Sequence, residues 1–98
     1  MIVKIHKKDE KTIMAVCDSD LIGRIFEDNE LQLDLSSDFY KGEQKNEKEV
    51  GDLIRNSDSV NLVGEKSIQI GLNEGIIEKK DVKFIQKIPY AQVTILHE

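Results

Sequence analysis

The sequence has one cysteine, one proline and no tryptophan among its 98 residues, and aromatic side chains make up only 5% of it. A lone thiol excludes an internal disulfide. Met1-Ile2-Val3-Lys4-Ile5-His6 lacks the shape of an export leader, so a reducing cytoplasm is the expected compartment. No apolar run approaches the roughly 18 residues a membrane-spanning helix needs, so no membrane partner is expected. Cys-x-x-Cys pairs, the phosphate-loop pattern and the nucleophile elbow are missing. His6 and His97 have no cysteine or carboxylate at metal-ligand spacing. Motifs therefore supply no catalytic residue, no metal site and no cofactor. Positive charge is scarce as well, with 14 Lys and Arg against 19 Asp and Glu and a net charge of −5. Such a chain has no general attraction to phosphate backbones, and a direct nucleic-acid role needs a local basic patch.

What is present is a short, charged, globular composition, 39% hydrophobic and 34% charged. That length makes one domain, residues 1–98, whose modest core buries roughly 60–70% of the unfolded surface. Residues 2–17 read as a β-hairpin about Asp9-Glu10, pairing Val3 with Val16 and Ile5 with Met14 and placing these four on one face. Asp18 or Ser19 caps a short helical turn that ends near Gly23. Arg24–Glu27 and Leu31–Leu35 form a second hairpin around Asp28-Asn29-Glu30. After the charged loop at 41–49, Asn46 and Glu49 make a capping box, and Val50, Leu53 and Ile54 give the stripe of a helix packed on one side.

Val60-Asn61-Leu62-Val63 reads as a strand. The residues after Gly64 admit two readings: a hairpin turn into Ser67–Ile70, or a helix to about Glu74. The helix is preferred, with Val63 and Ile68 as its hydrophobic staple and Gly75 as its left-handed stop. Two further apolar stretches, 82–88 and 91–96, are separated by Pro89-Tyr90, which breaks the pattern because proline cannot donate to a ladder. Ala91, Val93 and Ile95 share a face. The expected fold is an α+β two-layer sandwich, a mostly antiparallel sheet with two main helices on one face.

Candidate sites follow from this layout. If a helix starts at Gly64, the free amides of residues 65–67 can receive an anion, assisted by Lys66 and opposed by Glu65. Asn61 is an amide inside an apolar strand, a position where such groups mostly satisfy nearby backbone. Tyr40 with Gly42, and Pro89 with Tyr90 and Gln92, place a tyrosine beside a chain-breaker, a pattern suited either to recognition or to closing a sheet edge. Cys17 sits beside Asp18 and Asp20 and opposite Ile2, away from His6, and reads as a buried inert thiol. With 19 carboxylates in the chain, close Asp/Glu pairs carry no argument for acid–base catalysis.

The order Ala15-Val16-Cys17-Asp18, Leu33-Asp34, Phe39-Tyr40 with Gly42-Glu43, Asn61-Leu62-Val63-Gly64-Glu65 and Pro89-Tyr90-Ala91-Gln92 resembles a small archaeal family catalogued as a domain of unknown function, number four hundred and twenty-four. The resemblance spans nearly the whole chain. It implies an archaeal cytoplasmic protein with a two-layer α/β fold, supports the helix after Gly64 and carries over no activity. The family's histidine is expected where this chain has Tyr90, so no role needing an imidazole there transfers.

These readings lead to a non-catalytic module that recognises a protein or ribonucleoprotein partner, the information-machinery setting following only from the archaeal resemblance. The alternative is an anion or nucleotide binder, or a small enzyme, with its site at Gly64-Glu65-Lys66. Direct RNA binding requires Lys4, Lys7, Lys8, Arg24, Lys41 or Lys83 to gather on one face. The state of assembly is open, and an uncovered strand at 91–96 is able to pair with a second copy.

Overall fold

The computed structural model describes residues 1–96, so His97 lies outside the described residues. Strand β1 (Ile2–Lys8) turns back into β2 (Lys11–Cys17) in the register read from the sequence, with Val3 opposite Val16, Ile5 opposite Met14 and Cys17 opposite Ile2. Asp9 and Glu10 close the turn with φ of 51° and 66°, the left-handed pair that matches the twist of a two-residue hairpin. A 3-10 turn at Ser19–Leu21 leads into the short hairpin β3 (Ile25–Glu27) and β4 (Gln32–Asp34), in which Phe26 faces Leu33. A second 3-10 turn, Asp38–Tyr40, precedes β5 (Glu43–Gln44), which lies antiparallel along β1.

Helix α1 (Glu47–Arg55) opens with the expected capping box: Asn46 accepts from the Glu49 amide at 2.9 Å, and Glu49 accepts from the Asn46 amide at 3.1 Å. Strand β6 (Ser59–Val63) then runs parallel to β2, the only parallel pair among the described strands. Gly64 starts helix α2 (Glu65–Asn73), and Gly75, at φ +74°, follows its end. The preferred reading of residues 64–75 is therefore the one observed. After a 3-10 turn at Lys79–Asp81 come β7 (Lys83–Ile85) and β8 (Ile88–Thr94), joined by Gln86 and Lys87 at φ of 46° and 68°. The main sheet has the order β5-β1-β2-β6-β8-β7, and β3-β4 form a separate small sheet.

Strand alternation divides the interior in two. Val3, Met14, Val16, Val60, Leu62 and Ala91 project to one face, where α1 and α2 cover them with Val50, Ile54, Ile68 and Ile70; Val93 and Ile95 pack at the margin. Arg55 on α1 holds both Asp52 and Glu74, tying the helices together at the surface. The opposite face has its own smaller core of Cys17, Leu21, Phe26, Leu35, Val63 and Ile85, roofed by the β3-β4 hairpin, with Tyr40 and Tyr90 packed at its side. The α+β sandwich with two helices on one face of a mostly antiparallel sheet is thus the fold of this chain.

Two local expectations are overturned. The Val63–Ile68 staple does not form, because Val63 belongs to the core on one face of the sheet and Ile68 to the core on the other. Nor does Pro89 interrupt a strand, since β8 runs straight through it. Its carbonyl accepts the Gly64 amide at 2.8 Å, so its ring nitrogen points the same way, to where the β6–β8 ladder has already ended at Val63–Tyr90. No donor is required of it there.

Candidate functional site

Strands β2 and β6 run parallel and end side by side at Cys17 and Val63, and it is outside the carboxyl ends of parallel strands that α/β folds place their crevices. A cleft of about 540 Å³ lies there, lined by Asp18, Ser19, Asp20, Gln44, Gly64, Glu65, Lys66, Lys87 and Pro89 among others. Its lining carries three carboxylates, Asp18, Asp20 and Glu65, and two lysines, Lys66 and Lys87, so its charge is mixed.

The chemistry of the cleft is set by Asp18. It is buried, yet it directs no bond into the 3-10 turn that follows it. Its carboxylate crosses instead to the start of α2, accepting the Lys66 amide at 3.0 Å and the Ser67 amide at 2.8 Å, and it also accepts the Ser67 hydroxyl at 2.8 Å. Gly64 has no side chain with which to cap its own helix, so a residue far back in the chain supplies the cap. The glycine is doubly required: its φ is +105°, and a Cβ there would lie 2.3 Å from Asp18 Cγ. From sequence, Asp18 or Ser19 is expected to cap the nearby turn and the amides of residues 65–67 are left for an external anion. The chain's own carboxylate holds that seat, because an anion buried beside a positive helix end is already strongly favoured there.

Cys17, directly before Asp18, is fully buried. Burial first, and then the charges of Asp18 and Asp20, push its thiol up to about 12. At neutral pH it is an uncharged apolar group, as expected for an inert thiol.

The remaining candidates do not converge on the cleft. Gly64, Glu65, Lys66 and Pro89 line it, but Tyr40 and Tyr90 pack beside the second core, where burial and the neighbouring Cys17 push the Tyr40 phenol up. Asn61 and Gln92 sit opposite each other on β6 and β8, in one row with Ala15. Gly42 lies where β5 meets β1, and a Cβ there would stand 1.9 Å from the Val3 carbonyl oxygen; it is a glycine for close backbone approach. His6 stacks on Phe39 at 4.5 Å, with Nε2 2.9 Å from the Phe39 carbonyl oxygen, which pins the Asp38–Tyr40 turn to the sheet. The basic residues also disperse. Lys4 on β1 and Lys83 on β7 are separated by three strands, about 19 Å at the usual strand spacing. Lys41 pairs with Asp38, and Arg24 lies over the Phe26 ring.

A second surface feature was not foreseen. Between α2 and β7 runs an apolar groove of about 510 Å³, lined by Ile68, Leu72, Val82, Phe84 and Pro89, with Glu65, Gln69 and Lys79 at its rim. Glu65 and Pro89 belong to both hollows, so the groove and the cleft adjoin. Phe84 is 64% exposed. Its place was legible only as one apolar residue in the stretch 82–88; the face it occupies depends on the register set by the Gln86-Lys87 turn.

A family model described as "Protein of unknown function (DUF424)" matches residues 5–96. No curated protein matches the chain. A crystal structure of an uncharacterized conserved protein from Methanopyrus kandleri superposes with a TM-score of 0.82 over 99% of this chain and 92% of that one, at 21% identity. That likeness shows the shared fold.

Proposed function

We propose, from the premise that the chain belongs to the DUF424 family, that it is a non-catalytic recognition module that seats a segment of another protein in the groove between α2 and β7. The observation that carries this reading is Phe84, an aromatic ring left 64% exposed beside Leu72, Val82 and Pro89. Large aromatics framed by apolar neighbours are the usual anchors of protein interfaces. Covering such a ring gains about 2 kcal/mol. The helix start that would have served an anion or nucleotide is held by Asp18, and the thiol that would have served as a nucleophile is buried. Both facts weigh against a reaction centre at Gly64. The partner is a protein or a ribonucleoprotein engaged through its protein component.

The test compares Phe84→Asp with wild type. Proteins captured from an archaeal lysate with the wild-type chain are identified, and the purified partner is then titrated against both. The variant is expected to bind about 30-fold more weakly, with an unchanged melting temperature because the ring lies at the surface. The captured protein is expected to survive nuclease treatment, RNA released by the nuclease marks it as part of a ribonucleoprotein, and capture lost altogether marks contact through RNA and counts against the groove. Equal affinity of the two chains removes the groove from the reading.

A further inference from the structure

We infer that the chain pairs with a second copy of itself through the outer edge of β8, as an antiparallel two-fold extension of the main sheet centred on Thr94. β7 covers only Ile88, Pro89 and Tyr90 of β8, whereas β6 on the other side pairs with Tyr90 through Thr94. Past Tyr90, no described strand lies along the outer side of β8. The direction of its backbone groups follows from two bonds. The Pro89 carbonyl accepts from Gly64, and the Ile95 amide donates to the Asp58 carbonyl, so odd-numbered residues address the β6 side. Gln92 and Thr94 therefore turn both N–H and C=O outward.

Such an edge is normally blunted by lysines, a proline or a bulge. Here none of these guards it. Residues 88–96, Ile-Pro-Tyr-Ala-Gln-Val-Thr-Ile-Leu, contain no charge in a chain that is 34% charged. The one proline sits at the end that β7 already covers. Gln92 and Thr94 are exposed, and Leu96 is 89% exposed.

The chemistry selects a second copy as occupant. Because β7 fills the lane as far as Tyr90, an incoming strand has to lie beyond it. A two-fold register available to the described residues sets Thr94 against Thr94 and Gln92 against Leu96 of the second copy, each able to exchange a pair of backbone hydrogen bonds. On the helix-covered face, Val93 then meets Ile95 of the second copy, and both already pack at the margin of the larger core. Apolar meets apolar, hydroxyl meets hydroxyl, and no like charges are opposed.

Light scattering on the eluting full chain, over a concentration series reaching about 1 mM, tests this directly, since that range populates even a ~0.1 mM association. The expected mass rises from the 11.2 kDa of one chain towards twice that value, and the Gln92 and Thr94 amides become protected from hydrogen exchange in step. Thr94→Pro removes an outward donor that the chain's own sheet does not use, and Thr94→Lys sets two cations together at the two-fold axis. Each is expected to weaken association at least ~10-fold; if the proline variant fails to fold, the lysine variant decides. A wild-type chain that stays at one-chain mass throughout overturns the inference. So does a dimer that leaves the two amides freely exchanging or that tolerates both variants.

Discussion

Asp18 and Gly64 form one unit at opposite ends of a long stretch of sequence: a glycine whose missing side chain admits a carboxylate, and a carboxylate that finishes the glycine's helix. Two independent demands fall on position 64, a left-handed φ and a contact that leaves no room for Cβ. Gly75 meets only the first, at φ +74° with nothing within 4 Å of an added Cβ. Chemical denaturation of Gly75→Ala is expected to show a loss of about 1 kcal/mol, the cost of a left-handed alanine. Gly64→Ala is expected to lose more than ~2 kcal/mol, because the helix cap is displaced as well. Equal losses would mean that Asp18 swings away freely. The pairing was not legible because nothing local marks it. Asp18 also begins a 3-10 turn, and a nearby use for a capping residue hides a distant one.

Several elements whose pattern is local were legible and those that answer to neighbours were not, although the local turn at Gln86-Lys87 lay unseen inside the apolar stretch 82–88. The β1-β2 register follows from alternation alone, and the Asn46–Glu49 box sits within four residues. The staple assigned to Val63 failed because a strand residue also has to choose a side of the sheet, which the helix after it cannot dictate. Pro89 was read as a break because its missing donor matters only if a partner strand lies opposite, and at that position β6 has ended. Both two-residue hairpins turn through left-handed pairs without a glycine, Asp9-Glu10 and Gln86-Lys87. Thermal melts of Glu10→Gly and Lys87→Gly are therefore expected to rise, each by about 3–6 °C for ~0.5–1 kcal/mol of relieved strain. Lys8→Gly, within β1, is expected to fall by a similar amount.

At the scale of the molecule, the sequence predicts one layer of helices on one sheet, and that layer is present. The smaller core beneath the β3-β4 hairpin was not legible as a unit. Its members, Cys17, Leu21, Phe26, Leu35, Val63 and Ile85, come one each from six places along the chain, so no single period links them. The same dispersal explains why the proposed site residues separated into a cleft, a core margin, a cross-strand row and, for Gly42, the β5–β1 contact. Short strings spread along a chain reveal that positions matter without revealing which of them meet.

The Asp18 brace spans 48 and 49 positions to the amides it caps, and a link of that length is expected to close late in folding. A nine-residue helix is too short to persist by itself in water, so α2 has to wait until the β2 end has been delivered to it across a long loop. Stopped-flow kinetics of Asp18→Asn are expected to show unfolding accelerated about 5-fold, for a loss near 1 kcal/mol, with refolding almost unchanged. The latch that closes last is the one that decides how long the native state survives.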